Sequence, residues 1–361
     1  MTVHKLFRHI IFALAAATLA LAGCSKQPVA GHGGDEIDFS ASVVRMETDT
    51  KSGGTLDERT AFAVGNSISV YGWHHRASEL VFNGQQVTKT AEDPWYYTPK
   101  KKWRWEDSDY YDFLAVPYGT AATPADGEPF SLAVSYDATV SQYDLMMGGI
   151  RHKISDSNPS RVVDFNFQHM LSAVKVLFYK YSDDENVGER IVVTSYHFRD
   201  LIVSADVEGY WDDGYKRFDN RIINTLRLDT EQFGVNRIEP WTNDANYLTD
   251  PAVPYDPGFF DLLPPQNLDP DSGAPSLIVR YMDHADKDPN DGVFLPNEYA
   301  SDLIPLKDIP VKGTTDQFIT RWEPGHKYIY EVHILFNGGV LLDVVTTEWD
   351  EVPAQTPGLM I

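Results

Sequence analysis

The stretch from Arg161 to Tyr179 places the tightest constraint on how this chain can fold. Apolar residues in its first half alternate with polar ones, which predicts a strand with one buried and one solvated face. The alternation resumes in the second half on the opposite parity, at Val174, Val176 and Phe178. Because a strand cannot exchange its faces without an inserted residue or a turn, we predict a bulge or kink within residues 169–172. Such a bent strand near mid-chain can serve two sheets.

The composition predicts an all-β protein. The 361 residues include 25 Gly, 22 Pro and 12% aromatic side chains, and short alternating runs separated by turn residues continue along the chain. No window has the pattern of a long, capped amphipathic helix. The length favours two domains over one.

The charge balance limits the classes of molecule that the protein can bind, and the cysteine content limits how its fold can be stabilised. The formal net charge is −23, from 53 acidic against 30 basic residues, which opposes binding to nucleic acid or to anionic lipid through charge. The single cysteine excludes an intrachain disulfide. We therefore expect no nucleic-acid partner and a fold held by its core.

The N-terminus has the pattern of a lipoprotein signal peptide. Basic residues precede a largely apolar run that is too short to span a bilayer, and small residues then lead to Cys24. We predict a signal peptide at residues 1–23, cleavage before Cys24 and a lipid on its sulfur that anchors the protein to a membrane. The alternative is an ordinary signal peptide with an incidental cysteine. Residues 24–36 are polar and glycine-rich, which predicts a tether.

Residues Ile37 to Val44 alternate between apolar and polar side chains and predict a first strand. A loop-like stretch of residues 46–60 follows. Arg45, Lys51 and Arg59 flank or lie within this connector, where a protease that cuts after basic residues can reach the backbone. Taken singly, a basic residue of this kind is more often a solvated loop charge than a cleavage site.

Two short sequence signals predict the turns of β-hairpins. Asn83-Gly84 predicts a turn between a strand ending at Phe82 and a return strand, and Asn337-Gly338-Gly339 predicts a turn within a closing hairpin. The closing hairpin extends from Tyr328 to Trp349 and is the most strongly patterned element of the chain.

An aromatic cluster lies between Trp95 and Phe113, and its tryptophans are Trp95, Trp103 and Trp105. Such density can form a platform on which sugar rings stack. Aromatic side chains in a β-domain more often pack the core and plug loops. Both interpretations stay open at this point.

Metal sites are not predicted. Asp286, Asp288 and Asn290 resemble the first ligands of a calcium loop, but the glycine and glutamate that follow are displaced by one position. We favour a solvated acidic loop over a calcium site. The adjacent His74 and His75 would point to opposite faces of a strand and could not share one ion.

Signatures of catalysis are also missing from the sequence. It contains no nucleophile elbow, zinc-protease helix or phosphate-binding loop. His169, at the predicted kink, is interpreted as a packed and hydrogen-bonded histidine rather than a base. We expect a protein that is not an enzyme and has no cofactor.

Taken together, the motifs resemble the fimbrillin (type V pilin) family of surface-exported lipoproteins. The resemblance covers nearly the whole chain in the family's order. It rests on Leu21 to Cys24, Thr50 to Gly54, Phe62 to Tyr71, Tyr110 to Pro117, Asp144 to Met146, Phe167 to Val176, Leu262 to Gln266, Trp322 to Tyr330 and Trp349 to Val352.

The resemblance implies two tandem transthyretin-like β-sandwich domains, which we expect at residues 37–157 and 158–361. It also implies a lipid-anchored precursor at the outer membrane and cell surface that assembles into fimbriae and supports adhesion. In the family a protease removes the first strand, and a strand from the next subunit fills the groove that remains. Here Ile37 to Val44 would be removed after Arg45, Lys51 or Arg59.

The partners implied are therefore other fimbrial subunits, bound by β-strand addition. Few residues follow the closing hairpin, so a donor strand would come from the hairpin itself, and a shaft, tip or accessory role is open. A host or bacterial surface glycan or protein is the expected adhesion target. The alternative function is a glycan-binding surface lipoprotein that uses Trp95, Trp103 and Trp105.

Overall fold

The computed structural model consists of β-strands and their connections, and no helix occurs in the part of the chain it describes. The described residues are 36–44, 59–91, 95–104, 110–153, 162–181, 191–228, 247–248, 252–269, 274–287, 294–335 and 340–349. The predicted all-β class is confirmed.

The strands follow one another along the whole described chain. The first are β1 (Asp38–Val44), β2 (Arg59–Ala61), β3 (Ser67–His74), β4 (Glu79–Thr88), β5 (Tyr111–Pro117), β6 (Thr123–Ala125), β7 (Ser131–Asp137) and β8 (Met146–His152). The middle ones are β9 (Val162–His169), β10 (Ser172–Lys180), β11 (Ile191–Arg199), β12 (Leu201–Asp212), β13 (Arg217–Leu228), β14 (Tyr247–Leu248), β15 (Asp261–Leu263) and β16 (Gln266–Asn267). The last are β17 (Ser276–Lys287), β18 (Phe294–Ala300), β19 (Ile304–Pro305), β20 (Ile309–Pro310), β21 (Phe318–Ile319), β22 (Arg321–Trp322), β23 (His326–Ile334) and β24 (Val340–Glu348).

Four larger sheets organise these strands. A seven-stranded sheet has the order β2-β1-β9-β8-β5-β3-β4, and a four-stranded sheet has the order β13-β12-β7-β6. Further along, β15-β10-β23-β24 form a second four-stranded sheet, and β14-β11-β17-β18 with β19 form a five-stranded one. Two short pairs, β16-β22 and β20-β21, complete the set in the described residues.

The central stretch serves two sheets. Its first half is β9, which lies between β1 and β8, and its second half is β10, which lies between β15 and β23. Met170 and Leu171 separate the two strands and are fully buried, and the Met170 amide donates a hydrogen bond to the Leu145 carbonyl at 2.8 Å. The predicted kink is confirmed, because the change of parity coincides with the change of sheet.

The seven-stranded sheet is buried on both faces over its middle strands. On β5, Phe113 packs into one cluster with Phe39 and Phe165, while its neighbour Leu114 belongs to a second cluster with Val134 of β7. All of these side chains expose 1% or less of their surface. A strand buried on both faces carries a continuous apolar run, as β5 does.

One of the two predicted hairpin turns is wrong. Asn83-Gly84 lies inside β4, where the pairing with β3 shifts between Val70↔Gln85 and Gly72↔Phe82. Gly84 has a φ of +68°. Because a β-bulge demands the same left-handed backbone as a tight turn, the dipeptide marks a bulge here rather than a reversal.

The closing hairpin is confirmed. β23 and β24 pair antiparallel along their whole length, from His326↔Glu348 to Ile334↔Val340. Residues 336–339, which hold the predicted turn, lie outside the described residues.

The two-domain division at residue 157 stays a prediction. β7 and β12, which come from either side of that position, pair in one sheet from Ser131↔Tyr210 to Asp137↔Ser204.

Candidate functional site: the first strand and its groove

The first strand lies inside the seven-stranded sheet rather than at its edge. β1 pairs antiparallel with β2. On its other side it pairs parallel with β9, where Asp38 lies opposite Val162 and Val43 opposite Phe167. β1 therefore fills a slot between a three-residue strand and the central stretch of the chain.

The inward face of β1 carries the predicted alternation of apolar side chains. Ile37, Phe39, Ala41 and Val43 are all buried. Four aromatic rings surround the ring of Phe39, with centroid distances of 5.3 Å to Phe82, 5.4 Å to Tyr97, 5.9 Å to Phe165 and 6.0 Å to Phe113. Full burial of one such side chain contributes about 1.5–3 kcal/mol, so this face is the main attraction between β1 and the protein.

Polar contacts fix the start of β1. The Ile37 amide donates to the Lys101 carbonyl at 2.9 Å, and the Tyr97 hydroxyl donates to the Ile37 carbonyl at 2.7 Å. Burial raises the pKa of Tyr97 to about 12, so the hydroxyl keeps its proton for this bond at neutral pH. The Lys100 ammonium also lies 2.7 Å from the Asp38 carboxylate.

The outward face of β1 is polar and has one tie to β9. The Ser40 hydroxyl donates to the Asp164 carboxylate at 2.5 Å, and these two residues are register partners. Ser42 comes next on the same face, and its buried hydroxyl has no hydrogen-bond partner in the described part of the chain. The outward face therefore contributes much less than the inward one.

The groove holds β1 by backbone pairing on both sides and by its apolar lining. Without β1, the backbone of β9 facing it would lose its ladder of hydrogen bonds, and the rings around Phe39 would face water. Unpaired buried backbone groups are costly, and only another extended segment satisfies them in a sheet.

The predicted cleavage residues fall at the far end of β1. Arg45 and Lys51 lie in residues 45–58, outside the described residues. Arg59 is the first residue of β2, and its backbone is the register partner of Val44. Cys24 and the predicted signal peptide also lie outside the described residues.

The tryptophans of the aromatic cluster belong to the core where the structure describes them. Trp95 and Trp103 expose 2% and 4% of their surface and pack in the cluster that contains Phe39. They cover the face of the seven-stranded sheet, which explains their burial. Trp105 lies outside the described residues, and the exposed ring between Trp95 and Trp103 is that of Tyr96.

Sequence reasoning missed several groups that shape the groove. Tyr97 lies in the aromatic cluster, for which the sequence left a sugar platform and core packing open, and its hydroxyl holds the start of β1. Gly72 was not singled out, yet a Cβ there would lie 2.9 Å from the Phe113 ring and 3.0 Å from the Phe82 ring. No local signal marks such positions, because the close approach comes from strands distant in sequence.

The described residues contain no cluster of three or more metal-binding side chains and no helix able to cross a membrane. Asp288 and Asn290 of the calcium-like loop lie outside the described residues.

Comparison with known proteins gives one family and a set of solved structures. A family model described as fimbrillin-like matches residues 48–219, which agrees with the resemblance drawn from the motifs. Fimbrillin-like proteins are structural, which agrees with the expectation of a chain that is not an enzyme. No curated protein matches the chain.

The similar solved structures include proteins of Bacteroides and Parabacteroides species. A fimbrial protein from Bacteroides vulgatus ATCC 8482 is 14% identical with a TM-score of 0.47, and the alignment covers 88% of this chain and 100% of that one. A proposed cell adhesion protein from Bacteroides eggerthii DSM 20697 is 11% identical with a TM-score of 0.48, covering 88% and 97%. A second proposed cell adhesion protein, from Bacteroides uniformis ATCC 8492, is 16% identical with a TM-score of 0.42, and the alignment covers 88% of this chain and 100% of that one.

Proposed function

We propose that this chain, which is fimbrillin-like over residues 48–219, is a structural subunit of a cell-surface fimbria that supports adhesion. In this proposal it is exported as a lipoprotein anchored through Cys24 to the outer membrane, and protease-triggered strand exchange assembles it as a shaft, tip or accessory subunit. The partners are other fimbrial subunits.

The position of β1 is the observation that carries the proposal. This strand comes first in the chain, is followed by the segment with basic residues, and yet lies inside a sheet with its apolar face buried. A cut between β1 and β2 would turn a covalently attached strand into a bound peptide. Its place could then be taken by a strand of another subunit with a similar pattern.

The cut is best placed in the connection between β1 and β2. Cleavage after Arg45 or Lys51 would release β1 without breaking a backbone pair inside the ladder. Arg59 is itself paired with Val44, and a protease needs an extended, unpaired backbone. Arg45 and Lys51 are therefore preferred, with Arg59 as the third candidate.

The closing hairpin is the proposed source of the donor strand. β24 is the last strand of its sheet and pairs with β23 along one side, and its other side has a single bridge in the described residues, where the Lys312 amide donates to the Val344 carbonyl at 2.8 Å. Val344 is its one fully buried side chain, whereas Leu341 is 49% exposed. A strand at the end of a sheet with few buried side chains costs least to detach, and Val340, Leu342 and Val344 of β24 fall on one face, which suits a groove lined by rings.

A reversible covalent lock on β1 tests the exchange. We would replace the register partners Ser40 and Asp164 by cysteine, Ser40→Cys with Asp164→Cys, since their side chains already touch. Treated with a trypsin-like protease, wild type is expected to give a ladder of heat-resistant polymers on an unboiled gel. The locked variant should be cut, stay monomeric and polymerise only after reduction.

Matched controls separate cleavage from exchange. The single variants Ser40→Cys and Asp164→Cys should behave as wild type. Mass spectrometry of Arg45→Ala, Lys51→Ala and Arg59→Ala identifies the new N-terminus, and Cys24→Ala tests the lipid anchor. Polymers formed by the oxidised locked variant, or none formed by cleaved wild type, would refute strand exchange.

A further inference from the structure

A polar cleft lies on the face of the seven-stranded sheet opposite the apolar groove of β1, where three parts of the chain meet. Its volume is about 1080 Å³. Its floor is the outward face of β8 and β9, one wall is the hairpin of β12 and β13, and the other is made by residues 265–267 and 321–326. Sequence reasoning did not single out this region as a site.

Two glycines let the hairpin wall lie close to the floor. A Cβ on Gly149 of β8 would lie 2.3 Å from the Phe218 ring, and one on Gly209 of β12 would lie 2.8 Å from it. Phe218 is 8% exposed and lines the cleft. The shape of the cleft therefore depends on close packing rather than on a loop.

Each of the four cations that line the cleft is paired with a carboxylate, and the lining carboxylate of Asp164 accepts a hydrogen bond from the Ser40 hydroxyl of β1. The Arg321 guanidinium lies 2.7 Å from the Glu323 carboxylate and that of Arg217 3.1 Å from Asp219. The two other cations are paired as well, Lys216 with Asp213 and Arg221 with Glu208. Because each cation has a carboxylate partner, the cleft does not offer a concentrated charge to an ionic ligand.

Some neutral polar groups of the residues that line the cleft, unlike the charged ones, have no hydrogen-bond partner among the described residues. Three buried polar atoms have no hydrogen-bond partner in the described part of the chain, namely Asn166 Oδ1, Trp211 Nε1 and His326 Nε2. The Nδ1 atom of His326 lies 2.9 Å from the Pro324 carbonyl and must donate to it, so Nε2 of the neutral ring is an acceptor. The set therefore offers one donor and two acceptors. Buried polar groups in native proteins are rarely left without a partner.

We propose that this cleft binds a neutral oligosaccharide. A sugar hydroxyl donates and accepts at once, which suits a lining that mixes an indole N–H with amide and imidazole acceptors. The half-buried Trp211 adds an apolar surface for the C–H face of a sugar ring. The proposal does not depend on strand exchange, and it places sugar binding away from Trp95 and Trp103, which are buried.

The test begins with the full chain, purified from the surface fraction, on an array of printed oligosaccharides. The array carries neutral glucose-, mannose-, galactose- and N-acetylglucosamine-based chains beside sialylated and sulfated ones. The neutral chains are expected to bind. The neutral chain that binds best is then titrated by calorimetry against wild type and variants.

Two variants each remove one of these hydrogen-bonding groups. Trp211→Phe keeps an aromatic ring and loses the N–H, and Asn166→Ala removes an acceptor. Each is expected to weaken binding about tenfold, the effect of one lost hydrogen bond to a ligand. Thermal unfolding of both confirms that they are folded, and Asn220→Ala, which removes another amide side chain that lines the cleft, replaces whichever of them fails to fold.

Two exposed aromatics outside the cleft serve as matched controls. Tyr118→Ala and Tyr96→Ala each remove a ring that is 56% exposed, and Tyr96 lies in the aromatic cluster at residues 95–113. Both should bind sugar as wild type does. Loss of binding in Tyr96→Ala with full binding in Trp211→Phe would overturn the proposal in favour of that cluster. Absence of binding to every neutral chain, or binding to anionic chains only, would also overturn it.

Discussion

The indole of Trp349 lies flat against the imidazole of His169, with ring centroids 4.3 Å apart and planes 9° apart. His169 ends β9, and its Nδ1 atom lies 2.9 Å from the Asp144 carboxylate. Trp349 follows β24, and its amide donates to the Gly325 carbonyl at 2.8 Å. This contact ties the proposed donor hairpin to the point where the central stretch passes between sheets. His169 is thus a packed, hydrogen-bonded histidine, as expected.

The His169–Trp349 pair should contribute a measurable coupling energy. We would compare urea unfolding of Trp349→Ala, His169→Ala and the double variant. Stacked aromatic pairs contribute about 0.5–1.5 kcal/mol beyond burial. The sum of the losses of unfolding free energy in the two single variants should therefore exceed the loss in the double variant by that amount. Strictly additive losses would show that the rings merely lie near each other.

The Phe39 ring should contribute more than any other side chain of β1 to the binding of this strand in its sheet. In the uncleaved protein, Phe39→Ala is expected to lower the free energy of unfolding by about 3–5 kcal/mol, because a buried aromatic side chain leaves a cavity. Ser42→Ala on the opposite face is the matched control and should change little, since its hydroxyl has no partner in the described residues. Similar losses in the two variants would mean that β1 is not held by its inward face.

The buried carboxylate of Asp112 on β5 holds Arg151 of β8, whose guanidinium also pairs with Asp213 in the turn between β12 and β13. Asp112 is 1% exposed and accepts hydrogen bonds from Arg151 at 2.6 and 2.7 Å, and its Oδ2 lies 2.8 Å from His75 Nε2. Asp112→Asn should cost about 3 kcal/mol in chemical unfolding, because it removes the charge of the buried carboxylate that accepts two hydrogen bonds from the largely buried Arg151 guanidinium.

An exposed pair provides the comparison. Glu79 and Arg104 lie 2.6 Å apart, and their side chains are 44% and 58% exposed. Glu79→Gln should cost less than about 1 kcal/mol, because water screens the attraction. Equal losses in Asp112→Asn and Glu79→Gln would contradict a role for burial.

Stability should fall in acid through carboxylates on β12. The hydrogen bond from Arg221 holds the pKa of Glu208 below its usual range, against the effect of burial, and Ser131 acts in the same direction. A lowered folded-state pKa means that the carboxylate stabilises the fold above the unfolded pKa of about 4.3, and that this contribution disappears as the pH falls through the folded value. Glu208→Gln should therefore flatten the decline in unfolding free energy between about pH 5 and pH 3.

A second carboxylate on the same strand gives an internal check. Hydrogen bonds from Asn224 and Ser135 lower the pKa of Asp206. Asp206→Asn should flatten the same part of the profile, and the double variant should flatten it further. Unchanged slopes in both variants would show that other groups control acid unfolding.

Much of the strand pattern could be predicted because it depends on residues that are close together in the sequence. The alternation at Ile37 to Val43 and its change of parity after Phe167 depend on which side of the backbone each residue points to. The Asn83-Gly84 turn failed for a related reason. A positive φ is a local property, but whether the chain reverses there or bulges depends on the strand beside it.

The sequence by itself determined the all-β class, the kink of the central stretch, the closing hairpin and the first strand, because side-chain alternation and turn chemistry act over a few residues. Only the tertiary structure decided that β1 lies parallel to β9, that Trp95 and Trp103 are buried, and that Asn166, Trp211 and His326 line one cleft. These are relations between residues distant in the chain. They are settled by which apolar faces can be buried together, and no local pattern records that choice.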